Sequence, residues 1–129
     1  MTIKTIGAVA VIGSVFAAGV AVGQQQATTR REPQFENSEV QVWKSTIFPG
    51  KPLGQHRHEH GRALVSLNGG VLNVVDASGK VLDTYNLKAG TAMWLDADKP
   101  GTQHADVNPG KDPVEVIVVQ LKNDKPIVK

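Results

Sequence analysis

Turn-forming residues interrupt this chain every 8 to 12 positions or so, and the runs between them are short and either alternate in polarity or are continuously apolar. A strand repeats its side-chain direction every two residues and a helix every 3.6, so runs this short cannot lay down a helical apolar stripe. VQVWKSTIF (residues 40–48) stops at Pro49-Gly50, GQHRHEH (54–60) at Gly61, ALVSLN (63–68) at Gly69-Gly70, and VLNVVD (71–76) at Ser78-Gly79. KVLDTYNL (80–87) stops at Ala89-Gly90 and TAMWL (91–95) at the loop 96–101; a short run surrounds His104, and PVEVIVVQLK (113–122) comes last. These make about eight strands and no helix-length periodic segment, the pattern of an all-β sandwich or closed barrel.

The segment ahead of these runs has a different character. Lys4 precedes an uncharged stretch rich in Gly and Ala (residues 6–22), which reads as an export signal over residues 1–23. Ala21 and Gly23 stand where a cut before Gln24 needs small side chains, and so many small residues would make a weak membrane span. Residues 24–38 (QQQATTRREPQFENS) are polar and without periodicity, and read as a flexible linker. The folded domain is then 39–122 with a tail at 123–129, and the expected location is periplasmic or secreted.

Charge and cysteine content narrow the chemistry. Fourteen Lys and Arg against 12 Asp and Glu leave a formal charge of +2, too little excess for phosphate-backbone binding, so nucleic acid is not an expected partner. Nor is a membrane, once the signal is removed. A small-molecule ligand fits better, and burial of an edge strand makes a homodimer the default expectation. With no cysteine there is no disulfide, no thiolate ligand and no cysteine nucleophile, so any metal must be held by nitrogen and oxygen.

Three of the four histidines fall in one heptapeptide, Gln55-His56-Arg57-His58-Glu59-His60-Gly61. On a regular strand His56, His58 and His60 share a face, close enough for their nitrogens to meet at one cation. A solvated polar edge strand accounts for a bare His-x-His equally well, and the wider context has to decide.

That context resembles the cupin superfamily, whose first motif runs Gly-x5-His-x-His and whose second runs Gly-x5-Pro-x-Gly-x2-His-x3-Asn. Gly50 is followed by five residues and then His56 and His58, with a later glycine at Gly69 or Gly70; Gly90 is followed by Pro100-Gly101, His104 and Asn108. The resemblance extends from about residue 40 to 122. It implies a cupin-type double-stranded β-helix, or jelly-roll barrel, with both motifs bringing ligands together inside it. Two departures matter. Arg62 or Ala63 stands where the motif keeps a metal-binding glutamate, and three extra residues separate Gly90 from His104.

The ligand set implied is His56, His58 and His104, with His60 a fourth candidate if the strand stays regular past Glu59. Three imidazoles leave open positions on a divalent transition metal such as iron, zinc, manganese, nickel or copper. Arg62 is a candidate anchor for a substrate carboxylate or phosphate, or else a surface side chain. Trp94 is a candidate pocket wall or plain core. Asn108 either orients a ligand histidine or caps a turn, and nothing ties Tyr85 to the histidines. Two functions stay open: a metalloenzyme acting on a small anionic substrate, and a non-catalytic module that binds a metal or small ligand.

Overall fold

The computed structural model describes residues 28–125; the segment read as an export signal lies outside them. The described residues form eight strands: β1 Arg30–Glu36, β2 Val40–Ile47, β3 Arg62–Ser66, β4 Gly70–Val75, β5 Val81–Leu87, β6 Ala92–Leu95, β7 Ala105–Val107 and β8 Val114–Leu121. They build a five-stranded sheet in the order β1-β2-β8-β3-β6 and a three-stranded sheet in the order β5-β4-β7, and all strand pairs are antiparallel.

The period-two pattern decides what goes inside. On β8, Val114, Val116 and Val118 face the interior while Glu115, Ile117 and Val119 alternate outward, and β2 and β3 add Trp43, Ile47 and Leu64. Leu72 of β4 meets them from the facing sheet. Tyr85, Leu87, Met93 and Leu95 pack against this cluster from the remaining strands. Each fully buried aliphatic side chain contributes roughly 1.5–3 kcal/mol, so this one continuous core is the main stabilising feature.

Gly69 and Gly70 carry the chain from one sheet to the other. Both have positive φ (80° and 126°), and a Cβ on Gly70 would stand 2.7 Å from Val114 Cγ2. The turn therefore excludes a side chain twice over, by backbone conformation and by space. At the same end Asn108 is almost wholly buried; its Nδ2 donates to the carbonyls of Ile47 (2.9 Å) and Asp112 (2.7 Å), and its Oδ1 accepts from Gly110 N (2.9 Å). Asn108 is thus a turn cap that ties the loop after β7 to β2, with no contact to a histidine among these bonds.

The strand pattern departs from the sequence reading in two places. Arg30–Glu36, expected to be flexible linker, is β1, paired along the edge of β2. Its polar sequence is explained by position: an edge strand is held by backbone bonds to one neighbour and keeps a solvent face. Pro33 is tolerated beside the bulge between Pro33 and Phe35, where the ladder is already interrupted. Conversely, residues 54–60 are not a strand. Only His56 pairs, through a single antiparallel bridge in which His56 N donates to His104 O (2.8 Å) and His104 N to His56 O (2.9 Å). The rest is held by the loop 96–101, since His58 N donates to Asp98 Oδ2 (2.7 Å) and Asp98 N to His58 O (2.8 Å).

Candidate metal centre

The bridge between His56 and His104 sets two imidazoles side by side, and the turn pinned by Asp98 adds His58. Ring centroids are 4.6 Å apart for His56 and His104, 5.0 Å for His56 and His58, and 5.6 Å for His58 and His104. One nitrogen from each ring lies within 4.8 Å of the other two. Donors sharing an ion at about 2.1 Å stand about 3–3.4 Å apart, so modest side-chain rotation closes the set.

The opposite edge of each ring is held by an oxygen. His56 Nδ1 donates to the Gly54 carbonyl (2.9 Å), His58 Nδ1 to Gln120 Oε1 (2.8 Å), and His104 Nδ1 lies 3.3 Å from Asp98 Oδ2. Placing the proton on Nδ1 leaves the Nε2 lone pair free to ligate, as metal-binding histidines require. His56 Nε2 is buried without a hydrogen-bond partner, an orphaned acceptor of the kind a cation would satisfy. The residues present therefore fit a divalent metal.

Solved structures of the same architecture support this assignment of the fold. A cupin domain from Bordetella pertussis Tohama I superposes with a TM-score of 0.62 at 24% identity, covering 74% of this chain and 94% of that one. A cupin protein of the RmlC-like type from Methanocaldococcus jannaschii, described as a double-stranded β-helix, gives 0.57 at 17% identity over 74% of this chain and 81% of that one. A double-stranded β-helix protein from Klebsiella pneumoniae gives 0.54 at 24% identity, covering 78% and 79%. The fold is the cupin double-stranded β-helix. No protein-family model matches the sequence, and no curated protein matches it significantly.

Within this cupin fold the fourth histidine is elsewhere. His60 Nδ1 lies 2.6 Å from Asp124 Oδ1, and the same carboxylate accepts from Gly61 N at 2.9 Å. Because the backbone past Glu59 is not a regular strand, His60 turns to the C-terminal segment and falls outside the three-histidine group. Trp94 is also displaced from its expected place. Alternation on β6 sends Met93 and Leu95 inward and leaves Trp94 53% exposed, with Nε1 donating to Asp96 Oδ1 (3.0 Å) and its ring against Gly61. It does not wall the interior; Trp43 does, with its ring 6.1 Å from that of His58 and inclined by only 7°.

Arg62 faces inward with Leu64 and Ser66 and is only 4% exposed. Its Nη1 donates to the Asp96 carbonyl (3.1 Å), and it forms no ion pair among the described residues. Burial lowers its pKa, against the nearby charges of Asp98, Tyr85 and Asp106, which raise it. Tyr85, which sequence reasoning left unconnected, shares an inner cavity of about 30 Å³ with Arg62, His58, Trp43 and Asp106, and burial pushes its phenol up to about 12. A second pocket of about 340 Å³ shares Arg31, Trp43 and His58 with this cavity and is lined also by Arg57 and Gln120, among others. Arg31 stacks its guanidinium 4.8 Å from the Trp43 ring centre. The period of β5 was the available signal for Tyr85, since it alternates with exposed Thr84 and Asn86.

Burial pushes His58 down to about 3, with the charge of Arg62 the next cause, and burial likewise lowers His104. Both are neutral at ordinary pH, the form that ligates. A consequence follows for the metal-free protein. The unfolded chain takes up a proton on His58 below about pH 6.5, whereas the folded chain does so only near pH 3, so stability is lost as pH falls through this window. Between pH 6.5 and 5 the loss is expected to be about 2 kcal/mol for one such group. Urea unfolding of chelator-treated protein at these pH values measures it, and His58→Asn is expected to flatten the dependence; an equally steep decline in that variant would contradict the assignment.

Proposed function

We propose that this is an exported metal-dependent protein in which His56, His58 and His104 hold a divalent transition metal and Arg62 anchors a small anionic substrate beside it. The observation that carries the reading is Arg62: a guanidinium this deeply buried, with no ion pair among the described residues and only the more distant charges of Asp98 and Asp106 to offset it, is costly, and a bound anion would offset it directly. Trp43 lines the same cavity, and its buried Nε1 has no acceptor among the described residues. A bound divalent ion would supply Lewis acidity to an oxygen of the anion. The chain's part is to hold three imidazoles by their Nδ1 edges, to fix the anion's charge with Arg62, and to keep the Tyr85 phenol protonated as a donor.

Elemental analysis of untagged protein purified from its native compartment tests the metal. About one transition metal per chain is expected; none would overturn the reading. Titrating small carboxylates and phosphate into the loaded protein then tests the anion, and products in the mixture separate the enzyme from the binding module.

Export is supported by the sequence of residues 1–23. An intact mass corresponding to a chain that begins at Gln24, lowered further where that glutamine cyclises, is the expected result. Full-length chain in the membrane fraction would contradict it.

A further inference from the structure

We propose that Asp106 is a carboxylate ligand of the three-histidine centre, making the donor set three imidazoles and one carboxylate. This rests on the metal reading above. Asp106 lies on β7 two residues after His104, so strand alternation sets both side chains on the same face. Its Oδ2 is 3.8 Å from His56 Nε2, the buried nitrogen without a hydrogen-bond partner. That spacing is close to the roughly 3–3.4 Å between two donors of one ion.

The other nearby carboxylates are committed. Asp98 is used on the far edge of His104 and on His58 N; Asp96 takes the Trp94 indole; Asp124 takes His60 and Gly61. Asp106 alone of these accepts no hydrogen bond from a described donor, and its charge bears on Arg31, Arg62 and His104 together. A half-buried carboxylate without a hydrogen-bond donor, beside three neutral imidazoles, is what a divalent cation needs to offset part of its charge and the repulsion of two arginines. It also places a carboxylate at the centre from the facing sheet, where β3 offers only Arg62.

Co²⁺ is a suitable probe, because its visible spectrum reports donor type as well as occupancy. Wild type is expected to bind one Co²⁺ per chain, Asp106→Asn to bind at least about tenfold more weakly with an altered spectrum, and the exposed Asp112→Asn to match wild type. If wild type binds no Co²⁺, the three-histidine reading fails and this inference with it. If wild type binds and Asp106→Asn keeps both affinity and spectrum, the ligand role of Asp106 is overturned while the histidine centre stands. Circular dichroism checks folding. Should Asp106→Asn not fold, Asp106→Glu decides: a ligating carboxylate moved by one methylene shifts the Co²⁺ spectrum, and an unshifted spectrum overturns the proposal.

Discussion

Replacing His56, His58 or His104 by alanine is expected to weaken divalent-metal binding by more than about 100-fold in each case, whereas His60→Ala leaves it unchanged. The asymmetry follows from geometry. Each of the three rings has its Nδ1 edge engaged by an oxygen and contributes a nitrogen to one cluster, so removing any of them deletes a donor that no neighbour replaces. His60 is equally a histidine of the heptapeptide, yet its Nδ1 is 2.6 Å from Asp124 and it is not in the cluster. Competition against a chelator of known affinity gives the constants, and thermal unfolding of the metal-free variants shows whether the loss is local. His58→Ala is expected to be the least stable of the three, since it strips the ring stacked on Trp43 and leaves Gln120 Oε1 without its donor. Wild-type affinity in any of the three, or equal damage from His60→Ala, would overturn the ligand set.

The legible part of the site was its spacing, and the part that stayed hidden was its orientation. His56, His58 and His104 announce themselves by position along the chain, although the strand invoked to align the first two is a loop with one bridge. What aligns them is the local Gly54 carbonyl together with Asp98 and Gln120, and the last two are partners that only folding brings near. Trp94, a candidate for pocket wall or core by sequence, is neither, for a related reason. Trp43 and Trp94 both sit in apolar strands, and which one points inward depends on the phase of each strand against the core, fixed by Ile47 on one strand and by Met93 and Leu95 on the other. For the fold, strands such as β8 carry their own apolar period, whereas β1 has none because backbone bonds to an edge hold it. Sequence patterns report burial, and an edge strand buries little.

Arg62→Met is expected to reduce binding of small carboxylates and phosphate by about 10–100-fold while raising metal affinity several-fold. The first effect follows from losing charge-assisted hydrogen bonds, worth about 1.5–3 kcal/mol to a charged partner, from a guanidinium that makes one protein hydrogen bond and no ion pair among the described residues. The second follows from removing a buried positive charge that raises the potential at the histidines, as its lowering of the His58 pKa already indicates. Methionine has a similar length and is at home among Leu64, Tyr85 and Leu95, so the barrel is expected to stay folded; the Asp96 carbonyl loses a donor, a cost of about 1 kcal/mol. Arg62→Lys separates charge from shape. It keeps the cation but lacks the planar fork, so anion binding should fall between wild type and Arg62→Met, with metal affinity nearer wild type. Calorimetric titration of metal alone, then of each anion into loaded protein, reads both effects. Anion affinity unchanged in Arg62→Met would remove the substrate anchor, and metal affinity unchanged as well would mean that the guanidinium does not act on the centre.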